Sequence, residues 1–256
     1  MVFTQGSHYN QGHTQRANLL ASQCPKLSAM QNTKPIITAE NLVFRYPGSE
    51  FRLAFPKLEV AVGAHCVITG PSGCGKTTWL RLLSGIERTQ AGEITIKGQR
   101  LSELSNTAMR DFRNRECGFI FQDFRLVEYL SLRDNILLGV TLGSKRDRGP
   151  AIARLDELAN RVGIAHLLDR PVIKLSRGEM QRVAVCRALI HNPAVIFADE
   201  PTANLDRKNS DIIWDLINSE ARSNDATVLA VTHDADSINR FEQVVDLDSL
   251  METAAS

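Results

Sequence analysis

No run of about 18 apolar residues occurs in the 256-residue sequence, which argues against a transmembrane helix. The longest uncharged stretch, Val60 to Gly75, is interrupted by Gly63, His65, Gly70, Pro71 and Ser72. An excess of one charge sign is also missing. Thirty Lys and Arg against twenty-nine Asp and Glu leave a net charge of +1, so bulk charge gives no reason to bind nucleic acid or an anionic membrane. Cysteines are few, odd in number and dispersed (Cys24, Cys66, Cys74, Cys117, Cys186), with no CxxC pair. That excludes a disulfide framework and a zinc site and predicts free thiols in a reducing compartment. A basic start followed by an apolar core is absent, which argues against a signal peptide. Internal repeats, heptad runs and metal-ligand spacings are absent too. What is present is ordinary soluble composition, 43% hydrophobic and 23% charged, on a chain long enough for a substantial core.

Residues 1–34 are rich in Gln, Asn, Ser, Thr and His, which predicts a disordered tail, with Met30 a candidate for the true start. From Pro35 the sequence alternates β-like runs with turn signals. Ile36–Thr38 and Leu42–Phe44 precede a Pro47–Gly48 turn, and Leu58–Val62 follows. His65–Thr69 reads as a buried strand before a glycine-rich loop, Trp79–Leu83 as helix, and Glu93–Gly98 as a strand ending in a turn. Residues from about 101 to 190 are mostly helical in pattern, with an inserted helical subdomain expected at about 123–187. Ala194–Ala198 and Thr227–Val231 are apolar strands, each after a helical stretch. Strands alternating with helices predict an α/β fold with a parallel sheet covered on both faces. The domain is expected over 35–250, with residues 251–256 a second tail.

Gly70, Pro71, Ser72, Gly73, Cys74, Gly75, Lys76 and Thr77 fit G-x-x-x-x-G-K-[ST] between a strand and a helix. The glycines let backbone N–H groups converge on phosphate oxygens, and the helix N-terminus adds a favourable dipole. Lys76 would neutralise the β- and γ-phosphates, and the Thr77 hydroxyl would ligate Mg²⁺. This pattern predicts nucleoside triphosphate binding. A second strand ends in Asp199 and Glu200, where α/β sheets place ligands. Asp199 would hold Mg²⁺ and Glu200 would act as general base on the attacking water. Ser176 and Glu179, in Leu175–Arg182, have the spacing of a capping box. Taken alone that is a capped helix, although a hydroxyl, a glycine and free N–H groups at a helix start also make an anion site.

Together these motifs resemble the nucleotide-binding domain of an ABC (ATP-binding cassette) ATPase over roughly residues 35–250. The resemblance implies a P-loop NTPase cassette: a mainly parallel sheet flanked by helices, an antiparallel β subdomain and an inserted helical subdomain. The phosphate loop is GPSGCGKTT, extending to Thr78. Gln122, in GFIFQ, matches the family's Q-loop glutamine, which senses Mg²⁺ and water and leads to the transmembrane contact. LSRGE resembles the signature LSGGQ, which implies that Ser176, Gly178 and Glu179 of one copy clasp ATP held by another. PTANLD (201–206) resembles the D-loop, His233 in VTHD the switch histidine, and Tyr46 the aromatic that stacks on adenine. Three departures stand out: Arg177 where glycine is usual, Glu179 where glutamine is common, and Ala203 where close relatives often carry glycine.

A finer resemblance rests on Leu104, Arg110–Arg115, GFIFQDFRL, Leu130, Asp134-Asn135-Ile136 and EPTANLD. These are similar to the branch of lipoprotein-release, macrolide-export and cell-division ATPases. The resemblance implies ATP and Mg²⁺ as cofactors, a homodimer, and a separately encoded transmembrane permease that holds the chain on the cytoplasmic face of the inner membrane. A soluble ABC ATPase acting on nucleic acid or ribosomes would usually carry two cassettes, a coiled-coil insertion or zinc motifs, none of which occurs here. LSRGE and the DEPTANLD run speak against a small-molecule P-loop kinase. The basic stretch Lys145–Arg148 reads as a solvated loop.

Overall fold

The computed structural model describes residues 35–49, 51–142, 148–203 and 205–247. Both tails, the candidate start at Met30, residues 145–147 of the basic stretch and Asn204 of the D-loop lie outside them.

An antiparallel sheet of four strands has the order β2-β1-β4-β5, formed by β1 (Pro35–Arg45), β2 (Arg52–Ala61), β4 (Ala91–Ile96) and β5 (Gln99–Arg100). The two short runs expected at 36–38 and 42–44 are one continuous strand. Its pairing with β4 shifts register between Glu40 and Val43, so Ile37 and Ala39 before the irregularity and Leu42 and Phe44 after it are all buried. Such an irregularity reverses the parity of the apolar positions, which makes one strand read as two.

The second sheet is parallel throughout, in the order β6-β7-β8-β3-β9. Its strands are β3 (His65–Thr69), β6 (Cys117–Ile120), β7 (Val195–Asp199), β8 (Thr227–Val231) and β9 (Gln243–Asp246). Every residue of β7 and β8 is buried, as in a sheet covered on both faces. One face packs Val67, Ile196, Ala198, Val228 and Ala230 into a core shared with α3 (Leu132–Leu142), α4 (Gly149–Arg161), α5 (Arg177–Leu189) and α6 (Arg207–Ser223). The other packs Cys66, Ile68, Phe197, Leu229 and Val231 against α1 (Lys76–Leu83), α2 (Asn106–Glu116) and the antiparallel sheet. A four-residue helix, α7 (Ala235–Ile238), precedes β9.

The middle of the chain is less uniformly helical than its pattern predicts, because β6 lies inside it and is too short to declare a period. Gly118 of β6 touches the α5 backbone, and a Cβ there would sit 2.4 Å from the Ala188 carbonyl oxygen. The parallel order places the C-terminal ends of β3, β6, β7 and β8 along one edge, where ligands of α/β sheets bind.

Candidate functional site: a phosphate loop facing two carboxylates

The loop after β3 turns on glycines with positive φ: Gly70 at 143°, Gly73 at 82° and Gly75 at 98°. Gly75 is the N-cap of α1, and it carries no side chain to satisfy the first N–H groups of that helix, which leaves them for an anion. Any side chain at this position would also strike the Phe51 ring, 2.5 Å from the Cβ position. The helix begins at Lys76 rather than at Trp79, because its first turn faces the loop and only Trp79, Leu80, Leu82 and Leu83 enter the core. Lys76 Nζ donates to the carbonyls of Gly70 (2.9 Å) and Pro71 (2.8 Å), holding the ammonium over the loop.

Across from the loop, Thr77 Oγ1 donates to Asp199 Oδ1 at 3.1 Å. Burial pushes the Asp199 carboxyl above its usual range; the Thr77 bond opposes that shift and nearby Glu200 reinforces it. Hydroxyl and carboxylate are hard oxygen donors, and the pair suits Mg²⁺, which takes one or two protein oxygens and completes its shell from phosphates and water. Among the described residues no group of three or more His, Cys, Asp or Glu side chains forms an all-protein metal cage. Glu200 follows β7 in the left-handed region, φ 48°, with its N–H donating to Val231 O at 2.9 Å. Backbone strain of this kind persists where the surroundings over-determine it, often at functional sites. Its Oε1 lies 2.8 Å from Nδ1 of the exposed His233, just beyond β8.

A cavity of about 510 Å³ joins these parts. Ser72, Gly73, Gly75, Lys76, Thr77 and Thr78 line one wall; Gln122, Asp199, Glu200 and His233 line the other. Tyr46 also lines the cavity, its hydroxyl 3.3 Å from Thr78 Oγ1 and its ring edge-on to Phe44 with centroids 4.7 Å apart. Gly70, Pro71 and Cys74 belong to the loop but do not line the cavity. Phe51 lines it too, although nothing in its local sequence pattern distinguishes it from a strand-edge aromatic. A neighbouring hollow of about 420 Å³ shares Glu200 and His233, yet it is walled by Arg207, Asp211, Asp236 and Arg240 and has no phosphate loop.

The residues expected from the sequence to form the signature lie apart from this cavity. Ser176 is the N-cap of α5 and Glu179 completes a capping box: Ser176 N–H and Oγ donate to Glu179 Oε2 at 2.8 and 2.6 Å, and Glu179 N–H donates to Ser176 Oγ at 3.3 Å. These bonds hold the Glu179 carboxyl below its usual range. Gly178 abuts Leu205, in the segment that resembles the D-loop, and Arg177 is exposed to solvent. None of these four lines the cavity that holds Lys76 and Asp199.

The family model for ABC transporters matches residues 55–203. This chain belongs to the ABC transporter family. The cassette is 44% identical over 188 residues to the ABC transporter ATP-binding protein YvcR of Bacillus subtilis (strain 168), covering 73% of this chain and 72% of that protein. It is 35% identical over 216 residues to the lipoprotein-releasing system ATP-binding protein LolD of Pseudoalteromonas translucida (strain TAC 125), covering 83% and 93%. Among solved structures it resembles the dimeric, post-hydrolysis state of the ATP-binding cassette MJ0796 bound to ADP and Pi, with TM-score 0.74 and 27% identity over 82% of this chain and 93% of that one. The chain is thus an ATP-binding, ATP-hydrolysing cassette of this family, with the parallel sheet, antiparallel sheet and helices of that fold. No helix among the described residues is long and apolar enough to cross a membrane.

Proposed function

We propose that this cassette hydrolyses ATP between two copies arranged head to tail, and that the resulting motion drives a separately encoded membrane partner of the export, lipoprotein-release or mechanotransmission type. One observation carries this reading. The cavity holds a phosphate loop, a carboxylate pair and a histidine, whereas Ser176 and Gly178 stand on another surface of the same chain. A second copy would bring its own helix start to the open side of the cavity and complete the cage. The dimeric MJ0796 cassette and the LolD relative support the arrangement and the class of partner. On this reading the chain sits on the cytoplasmic face of the inner membrane through its partner and has no nucleic-acid ligand.

Within each site, Lys76 exchanges its two carbonyl partners for the β- and γ-phosphates, while the N–H groups of the loop and of α1 take the remaining oxygens. Tyr46 stacks on the adenine. Thr77 and Asp199, with Gln122 nearby, would hold Mg²⁺, which when bound neutralises charge on the transferred phosphoryl group. Glu200 accepts the proton of the attacking water, and the left-handed backbone aims its carboxylate into the cavity. His233 holds that carboxylate through Nδ1 and reaches the γ-phosphate. Loss of that phosphate loosens both interfaces, so chemistry becomes movement. The loop after Gln122 (Asp123, Phe124, Arg125) would lie beside the groove that receives the partner.

Light scattering on Glu200→Gln tests the dimer. ATP should convert the variant from one copy to two, and the wild type should return to single copies as ATP is consumed. A variant that binds ATP and stays a single copy contradicts the arrangement. Affinity capture from detergent-solubilised membranes should recover an integral membrane protein that stimulates ATP hydrolysis.

A further inference from the structure

The segment following Gln122 has an unusual backbone. Phe124 and Arg125 are consecutive non-glycine residues in the left-handed region, with φ 61° and 50°. Such residues occur singly far more often than in pairs, and they persist only where neighbours hold them. Local bonds account for part of the support: Phe124 N–H donates to Phe121 O at 3.1 Å, and Arg125 N–H to Asp123 O at 2.6 Å. Arg125 also pairs with Asp123 at 2.6 Å and lies over the Phe121 ring, and the Phe124 side chain is buried. A distant helix adds a further hold. Arg187, in the last turn of α5, donates through Nη1 to the Arg125 carbonyl and through Nη2 to the Phe124 carbonyl, both at 2.5 Å. The planar guanidinium thus forks across the two strained peptides, a geometry that a lysine cannot copy. Burial pushes the Arg187 guanidinium down to about 10, and Asp123 works against that shift; the group remains charged at neutral pH.

Arg187 is itself fixed. It adjoins Ala188, whose carbonyl lies against Gly118 of β6, so helix and strand cannot slide past one another at this point. β6 ends two residues before Gln122. At the far end of the same loop, the fully buried Asn135 of α3 accepts from Val127 N–H at 2.8 Å and donates to the carbonyls of Val127 and Ser131, both at 3.0 Å. The loop is therefore gripped by side chains from two helices, and one of those helices is capped by Ser176, the residue expected to belong to the signature.

We propose that Arg187 is a positioning residue for hydrolysis, which by clamping the left-handed pair Phe124–Arg125 holds Gln122 at the nucleotide cavity and ties the Q-loop to the helix that bears the signature. The inference rests on the reading that Gln122 serves that cavity. Disturbance at either end of α5 then reaches the other through one rigid element, so that a partner pressing on the loop would be felt at Ser176.

The test uses the full-length chain with Arg187→Lys, Arg187→Lys combined with Arg125→Gly, and Gln122→Ala. Four quantities are read: melting temperature, ATP affinity in EDTA, hydrogen exchange across 122–131 without nucleotide, and kcat with its Mg²⁺ dependence. Arg187→Lys should speed exchange in the loop, lower kcat about tenfold and raise the Mg²⁺ concentration for half-maximal rate, while ATP affinity in EDTA stays within about twofold. Gln122→Ala should reproduce the kinetic change without the exchange change. Glycine at 125 adopts the left-handed backbone freely, so the double variant should recover about threefold or more of the lost kcat and slow the exchange again. Unchanged kcat in Arg187→Lys overturns the proposal, provided Gln122→Ala is impaired. A fall in melting temperature and EDTA affinity that matches the loss of kcat, with no recovery in the double variant, assigns Arg187 a packing role and also overturns it. If Gln122→Ala is itself unimpaired, the reading of Gln122 fails and takes this inference with it.

Discussion

Glu220 is the clearest point at which one substitution should weaken the whole cassette. It lies on α6, only 8% exposed, and pairs with Arg154 and Arg161, which stand about two helical turns apart on α4. The side chains of Arg154 and Arg161 are 19% and 35% exposed. Glu220→Ala would leave two largely buried guanidinium groups facing each other without a counter-charge. Removing one partner of a buried ionic cluster costs about 3–5 kcal/mol; the partial exposure of Arg161 places this case near 3 kcal/mol. With a urea m-value of about 2 kcal/mol/M, the unfolding midpoint should fall by about 1.5 M. Replacing all three residues by apolar ones of similar size (Arg154→Met, Arg161→Met, Glu220→Leu) should recover most of that loss, because no stranded charge remains. The loss should also persist at high salt, which screens a buried cluster poorly. A midpoint shift under about 0.5 M for Glu220→Ala, or a triple variant no more stable than the single one, would refute the reasoning.

Other outcomes follow from the site. Asp199 has a folded pKa raised by burial, so the folded state binds the proton more tightly than the unfolded state, and the stability this group contributes is lost as pH rises through the folded value. Asp199→Asn should therefore raise the melting temperature of the nucleotide-free protein at neutral pH and flatten its decline above the usual carboxylate range, while abolishing Mg²⁺-dependent hydrolysis; a lower melting temperature contradicts this. Cys66, Cys117 and Cys186 are buried with thiols pushed up to about 12, whereas Cys74 is half-exposed in the phosphate loop. Iodoacetamide and peptide mapping should show Cys74 labelled ahead of those three and protected by ATP, and equal labelling with and without ATP would remove the link to the site. Arg177 is exposed beside the signature, so Arg177→Gly should leave hydrolysis within about tenfold, equivalent to roughly 1.4 kcal/mol in barrier; a larger loss in steady-state assays would place the arginine in the reaction.

The parts of the molecule that sequence made visible are those whose physics is local. The phosphate loop needs glycines at fixed offsets between a strand and a helix, and Asp199–Glu200 sit at the end of an apolar run, so both could be recognised without neighbours. The capping box of Ser176 and Glu179 is equally local, and the structure contains both of its bonds. What stayed hidden depends on partners distant in the chain. Glu220 reads as a polar position of an amphipathic helix until α4 lies over it. Arg187 reads as a basic residue at a helix C-terminus, and its partners are carbonyls, which carry no sequence signal. β9 carries no such signal because it is a short edge strand with Val244 largely exposed, so neither period nor apolar length declares it. The register shift in β1 hid one strand as two for the related reason that its cause lies in the pairing with β4.

The central claim is that ATP is hydrolysed in the cavity between the phosphate loop and β7, with Glu200 as the general base. Phosphate release by Glu200→Gln, measured beside its ATP affinity, tests it most directly. The substitution keeps the size and most contacts of the side chain but removes the basic oxygen. ATP should bind as tightly as in the wild type, while phosphate release falls by about 10²–10⁴. Release within about threefold of the wild type, with ATP still bound at this site, would contradict the account.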